Sequence, residues 1–390
     1  MGSMENENNK RRSRVTCEVA RRKNKNKKHW LRTVKLFHSR QRRMLHRKRL
    51  LKRRNNRPNS NNCNLVTNEY TKNNIFLTED DSLRIILPRN LDFDENFEST
   101  TSFFNHIRSA VFKKQKIGCI AFDNIRDISP AAALVLAAEI DQWKKQQSRP
   151  GERIRANVAS WDENIKRLLC QMGYFDLLKM TRPESELHEK NTVFFPFKRG
   201  CVNGVDDGGS IARELRIDVE RKIGNSINRH CLFEGISEAI TNVGQHAYPI
   251  KYFLKDKNWW LSASYNFVST KLHVIFYDQG VGIPKTLPTS EFYEDFKEFF
   301  SQWTDSQKIK AAMELGRSAT GRGERGKGLQ NLVAFARAHR EGQLSIYSLR
   351  GMFKQKFSYD GLGHQEEQEL KDSKTSIGGT LIEWSVTLAI

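Results

Sequence analysis

A run of apolar residues that ends in an aspartate, followed at once by a Gly-Val-Gly turn, constrains this chain more than any other feature. Leu272-His-Val-Ile-Phe-Tyr-Asp278 has the length and the β-branched and aromatic content of a buried strand. Gly280 and Gly282, on either side of Val281, then remove side chains where the backbone must turn. The pair fixes a strand, its end and a close approach of main chain to whatever lies beyond. An aspartate placed there can accept a hydrogen bond from an exocyclic amine.

Some thirty residues upstream, Glu238-Ala-Ile-Thr-Asn242-Val-Gly-Gln-His246 predicts a helix with one chemical face. On an α-helix, positions four apart drift by only about 40°, so Glu238, Asn242 and His246 share a polar stripe while Ile240, Val243 and Ala247 turn elsewhere. A carboxylate and a carboxamide one turn apart suit a hard cation that keeps several waters. The Asn242 oxygen would bind Mg²⁺ while Glu238 orients or deprotonates a nucleophile. His246 has two readings, a place in the pocket or a hydrogen bond to a core carbonyl.

Two glycine-rich segments complete the set. Gly321-Arg-Gly323-Glu-Arg325-Gly326-Lys327-Gly328 precedes the periodic apolar residues Leu329, Leu332, Val333, Phe335 and Ala336, so a glycine-rich loop feeds a helix N-terminus, which is phosphate-binding geometry. Arg325 and Lys327 either stabilise transferring charge there or are ordinary solvated residues of a basic turn. Gly378-Gly379-Thr380 opens the terminal strand and would place a hydroxyl near the phosphates.

In this order, the four elements resemble the N, G1, G2 and G3 boxes of the GHKL ATPase superfamily over residues 210 to 390. Ile-Ser-Glu238-Ala-Ile-Thr-Asn242 with His246-Ala-Tyr looks most like the serine-kinase branch that phosphorylates anti-sigma-factor antagonists. The resemblance implies ATP and Mg²⁺ as cofactors. It implies Glu238 as general base, Asn242 as metal ligand, Asp278 as adenine reader, and Gly280, Gly282, Gly323, Gly326, Gly328, Leu329 and Thr380 around the nucleotide.

Residues 83 to 182 alternate strand and helix: strands over 83–87, 117–122 and 155–159, helices over 97–112, 130–143 and 165–178. Phe122-Asp-Asn-Ile-Arg-Asp-Ile-Ser129-Pro-Ala-Ala-Ala-Leu, with Met172-Gly-Tyr-Phe-Asp-Leu-Leu, resembles STAS domains. In that family a serine at this helix start is phosphorylated. Here the usual Asp-Ser-Ser-Gly is Asp127-Ile-Ser129-Pro130, and a serine before proline is also a strong helix cap. Residues 183 to 209 connect the two domains. Their apolar Thr192-Val-Phe-Phe-Pro-Phe197 predicts a strand that Pro196 confines to a sheet edge.

Charge is concentrated at one end. Residues 1–60 hold 22 Lys and Arg against 3 Asp and Glu, +19 of the chain's +21. Such an arm repels itself unless a polyanion or solvent screens it, so nucleic acid is the expected partner of residues 1–60. An acidic protein, a membrane surface or a solubilising tail are the other readings, and residues 55–62 read as linker. The longest apolar run, Ala131-Ala-Ala-Leu-Val-Leu-Ala-Ala, is far shorter than a bilayer span. Six scattered cysteines show neither zinc nor disulfide spacing, which fits a reducing cytoplasm.

The expected architecture is therefore α/β: a basic, partly disordered arm (1–62), a STAS-like domain (83–182), a connection (183–209) and a GHKL sandwich (210–390) with helices on one face of a mixed sheet. The expected activity is an Mg-ATP-binding, hydrolysing switch coupled to nucleic acid or to a protein partner of the STAS-like domain, in bacterial regulation or antiviral defence. A serine protein kinase and a non-catalytic nucleotide-gated scaffold are the alternatives. The oligomeric state is left open.

Overall fold

Long strands buried on both faces lay out most of this molecule. The computed structural model describes residues 75–77, 82–112, 116–146, 158, 161–183, 191–201, 208–224, 229–249, 257–287, 300–318, 328–359 and 363–388. The expected basic arm lies outside them, as does nearly all of the expected strand over 155–159.

The N-terminal half runs β1 (Ile75–Leu77), β2 (Ser82–Ile86), β3 (Asn90–Leu91), α1 (Phe97–Phe112), β4 (Lys116–Ala121), β5 (Asp127–Ile128), α2 (Pro130–Gln146), α3 (Glu163–Gln171) and α4 (Tyr174–Leu178). β2 pairs antiparallel with β1 and parallel with β4, and β3 pairs parallel with β5. The Asp92 carboxylate accepts from the Asp94 and Glu95 amides at 2.6 and 2.7 Å, turning the chain into α1. Ser129 Oγ accepts from the Ala132 amide at 3.3 Å and caps α2 ahead of Pro130. The helix expected over 165–178 is two helices, because Gly173 takes φ +95°, outside the helical region, and starts α4 afresh. From Ala131 to Ala138 every residue of α2 is buried, so this helix has no polar face at that level.

The C-terminal half runs β6 (Thr192–Phe194), β7 (Lys198–Cys201), α5 (Gly208–Ile223), α6 (Arg229–Asn242) with a π-helical turn over Val243–Ala247, β8 (Asn258–Asn266), β9 (Lys271–Asp278), α7 (Ile283–Thr286), α8 (Asp305–Ser318), α9 (Gly328–Arg337), β10 (Glu341–Ser348), β11 (Gly351–Tyr359), β12 (His364–Asp372) and β13 (Thr380–Thr387). Eight of these are strands of one sheet, ordered β12-β11-β10-β13-β9-β8, with β6 and β7 pairing successive stretches of β8 at the edge. Pro196 lies between those two edge strands, where no ladder bond is lost. A mixture of strand directions was expected of the sheet over 210–390, but among the described residues it occurs in the small N-terminal sheet. The large sheet is antiparallel in every described pair.

Each face of the large sheet meets a different layer. Leu261, Val274, Phe276, Leu344, Ile346, Ile382 and Trp384 pack with α5, α6 and α9. On the opposite face, Trp260, Tyr277, Leu381, Tyr347 and Met352 form a row in register across five strands. That row belongs to the core of the N-terminal half, where Phe93 and Phe97 lie against Tyr347 with ring centroids 5.6 and 5.5 Å away. Burying each such side chain contributes about 1.5–3 kcal/mol, so the row alone binds the halves strongly. Polar clasps surround it: the mostly buried Lys354 pairs with Asp94, Arg199 with Asp141 at 3.2 Å, and the Lys374 amide donates to Glu98 at 2.9 Å. Residues from Val66 to Ile390 accordingly form one compact unit. No helix among the described residues is long and apolar enough to cross a membrane.

Candidate functional site: the Asp278 turn and the end of helix α6

Strand β9 delivers Asp278 to the face of the sheet covered by α5, α6 and α9, in register with Trp259 on one side and Thr380 on the other. Only 5% of Asp278 is exposed. Its carboxylate accepts from the Gly280 amide at 2.7 Å and from the Thr380 backbone amide. Burial outweighs both bonds and raises its pKa to about 7.

The glycines of this turn are needed for close approach. A Cβ on Gly280 would stand 2.5 Å from Ala247 Cβ and 2.6 Å from the Ala247 carbonyl oxygen. Gly282 has φ +85°, and Gly379, φ +127°, lies against the Asp278 carbonyl oxygen so closely that any side chain would collide. Thr380 therefore stands beside Asp278, its hydroxyl 3.0 Å from Ser348 Oγ, which also accepts from the Ile283 amide at 2.9 Å. The hydroxyl expected near the phosphates is thus placed at the aspartate end.

Helix α6 carries the second group. Glu238 and Asn242 are both half-buried, and the Asn242 side chain hydrogen-bonds the Glu238 carboxyl group. Burial raises the Glu238 pKa, and the Asn242 bond offsets part of that rise. One α-helical face was expected to include His246, but the winding changes to π after Asn242, so the four-residue step no longer keeps it in line. His246 is exposed overall, although its ring is shielded enough to lower its pKa. At the end of the π turn the Ala247 carbonyl accepts from the Val281 amide at 2.8 Å. Tyr248 OH accepts from the Gln279 amide at 3.1 Å and donates to the Asn258 carbonyl at 2.7 Å. The Glu238–Asn242 helix is thereby fastened directly to the Asp278 turn.

Gly323, Arg325, Gly326 and Lys327 lie outside the described residues. Gly328 begins α9, Leu329 is half-buried against the core, and α9 approaches α6 closely enough that a Cβ on Gly235 would be 3.3 Å from the Asn331 carbonyl oxygen. Sequence reasoning missed Tyr248, Gln279 and Ser348. Tyr248 follows His246-Ala247 and was within reach of local reading, whereas Ser348 meets Ile283 across 65 residues with no local signal. An open depression of about 300 Å³ lined by Cys170, Gln171, Asp176 and Arg182 lies elsewhere and gathers none of these groups. Among the described residues, no three His, Cys, Asp or Glu side chains gather to hold a metal ion.

At the aspartate end a buried acceptor lies between backbone segments brought close by glycines, next to a helix bearing a carboxylate and a carboxamide. Comparison with known protein families and with curated protein sequences found no match.

Proposed function

We propose that the chain is a GHKL-type Mg-ATP switch with a STAS-like N-terminal layer. The observation that carries this reading is the buried Asp278 carboxylate in its glycine-lined turn, tied by the Val281–Ala247 hydrogen bond to the helix of Glu238 and Asn242. Asp278 would accept from the adenine amine, and Gly280, Gly282 and Gly379 let the surrounding backbone close on the carboxylate. Asn242 would hold Mg²⁺ through its carboxamide oxygen. Bound Mg-ATP supplies a phosphoanhydride activated for attack by water. Glu238 orients that water and accepts its proton, and its half-buried setting favours this by raising its pKa. Gly326, Lys327 and Gly328 would meet the phosphates. Residues 1–60 would bind nucleic acid by charge, and the setting is cytoplasmic regulation or antiviral defence.

The test is incubation of the full chain with γ-labelled ATP and Mg²⁺, with and without nucleic acid, following free phosphate and label on protein. Free phosphate that depends on Glu238 supports the switch. Label retained on protein indicates the serine kinase instead, and retained ATP with neither product indicates a nucleotide-gated scaffold. Deleting residues 1–60 should remove nucleic-acid binding together with its salt dependence.

A further inference from the structure

A buried ion pair of the N-terminal layer holds both backbone segments that grip Asp278. Glu139 of α2 is 3% exposed. Its Oε1 receives Arg108 Nε at 2.8 Å, Arg108 Nη2 at 2.7 Å and Gln279 Nε2 at 2.9 Å. Arg108 Nη2 also donates to Tyr277 OH at 3.1 Å, and that hydroxyl donates to the Gly378 carbonyl at 2.9 Å. Gly378 has φ +75°, and a Cβ there would lie 2.6 Å from Arg108 Nη1, so the guanidinium occupies the space of a side chain.

The two anchored points, Gln279 and Gly378, flank the two donors to Asp278. Gln279 directly precedes Gly280, and Gly378 lies two residues before Thr380, whose amides both donate to the carboxylate. A buried ion pair is weak evidence for stability, since apolar residues of similar volume often serve packing as well. What an apolar pair could not do is fix the Gln279 amide and the Tyr277 hydroxyl in one orientation.

We propose that Arg108 and Glu139 are positioning residues for base recognition, acting through Gln279 and through Tyr277 to Gly378. The inference rests on reading the Asp278 turn as the adenine end of a nucleotide pocket. The N-terminal layer then contributes to which base the pocket accepts, although it lends no residue that touches the base.

The test compares ATP with inosine triphosphate, which lacks the exocyclic amine, by calorimetric titration of the full chain. Wild type is expected to prefer ATP by at least about tenfold. Glu139→Leu, which removes the acceptor of all three contacts, is expected to lose most of that preference by weakening ATP binding, with inosine triphosphate affinity within about twofold of wild type. A double variant, Arg108→Leu with Glu139→Leu, removes the pair without leaving a buried charge and carries the same expectation if Glu139→Leu fails to fold. Parallel weakening of both nucleotides indicates a merely structural role and overturns the inference. Preference lost in Asp278→Asn but intact in the Glu139 variants overturns the inference alone. Wild type that binds neither nucleotide overturns the pocket reading, and the inference with it.

Discussion

Asp278 combines two demands that oppose each other. Its folded pKa of about 7 lies above the ordinary value of 3.8, so the fold favours the protonated carboxyl. The associated stability is complete below about pH 4 and is lost as pH rises to about 7, a difference on the order of 4 kcal/mol. Asp278→Asn should therefore melt higher than wild type at pH 8, with the advantage shrinking at pH 5, while ATP binding is lost. Thermal melts at the two pH values check the sign; an advantage larger at pH 5 contradicts it. Glu238 poses the opposite problem, because the ionised form is the working base. Hydrolysis should fall as pH drops through a pKa raised above the usual glutamate range, and Glu238→Ala should cost about 10²-fold or more in turnover while ATP still binds. Equal turnover in the variant would remove Glu238 from the chemistry.

At the scale of elements, the strands and helices near the site were largely legible because each carries its own periodic signal. The helix expected over 97–112 is found at Phe97–Phe112, and the strand ending at Asp278 begins one residue earlier than its apolar run. Legibility ended where structure depends on distant partners. The π turn at Val243–Ala247 has no signature in a pattern that reads equally well as α-helix, and its partner amide at Val281 comes from another element. Arg108 and Glu139 are 31 residues apart, and Glu139 reaches Gln279 across 140, so no local pattern links them. Glycine placement was readable, but its reason was not. Gly379 was expected only to open the terminal strand, yet its backbone stands on Asp278. Gly379→Ala must strain both φ and that contact, so a loss of about 2–4 kcal/mol in denaturant unfolding is expected. Gly224→Ala is the control: its φ of +69° is also positive but nothing lies within 4 Å, so it should lose about 1 kcal/mol.

The whole molecule from Val66 onward behaves as one body because its large sheet is covered on both faces. A fragment spanning 191–390 would expose Trp260, Tyr277, Leu381, Tyr347 and Met352 as one apolar stripe. Such a fragment should be insoluble or bind hydrophobic dyes, and the chain from Val66 should unfold in a single transition by both circular dichroism and tryptophan fluorescence. Two separated transitions, or a well-behaved fragment, would show that the halves are independent. The helix start at Ser129 acquires a particular meaning in this setting. Its amide donates to the Leu91 carbonyl at 2.9 Å, its hydroxyl caps α2, and the residues from Ala131 to Ala138 are sealed in the core. A modifying enzyme must draw out several residues in extended form around its target, and here those residues are a paired strand and a buried helix. Modification at Ser129 would therefore proceed only from chains that have already opened locally, and its rate would measure how often the N-terminal layer comes loose.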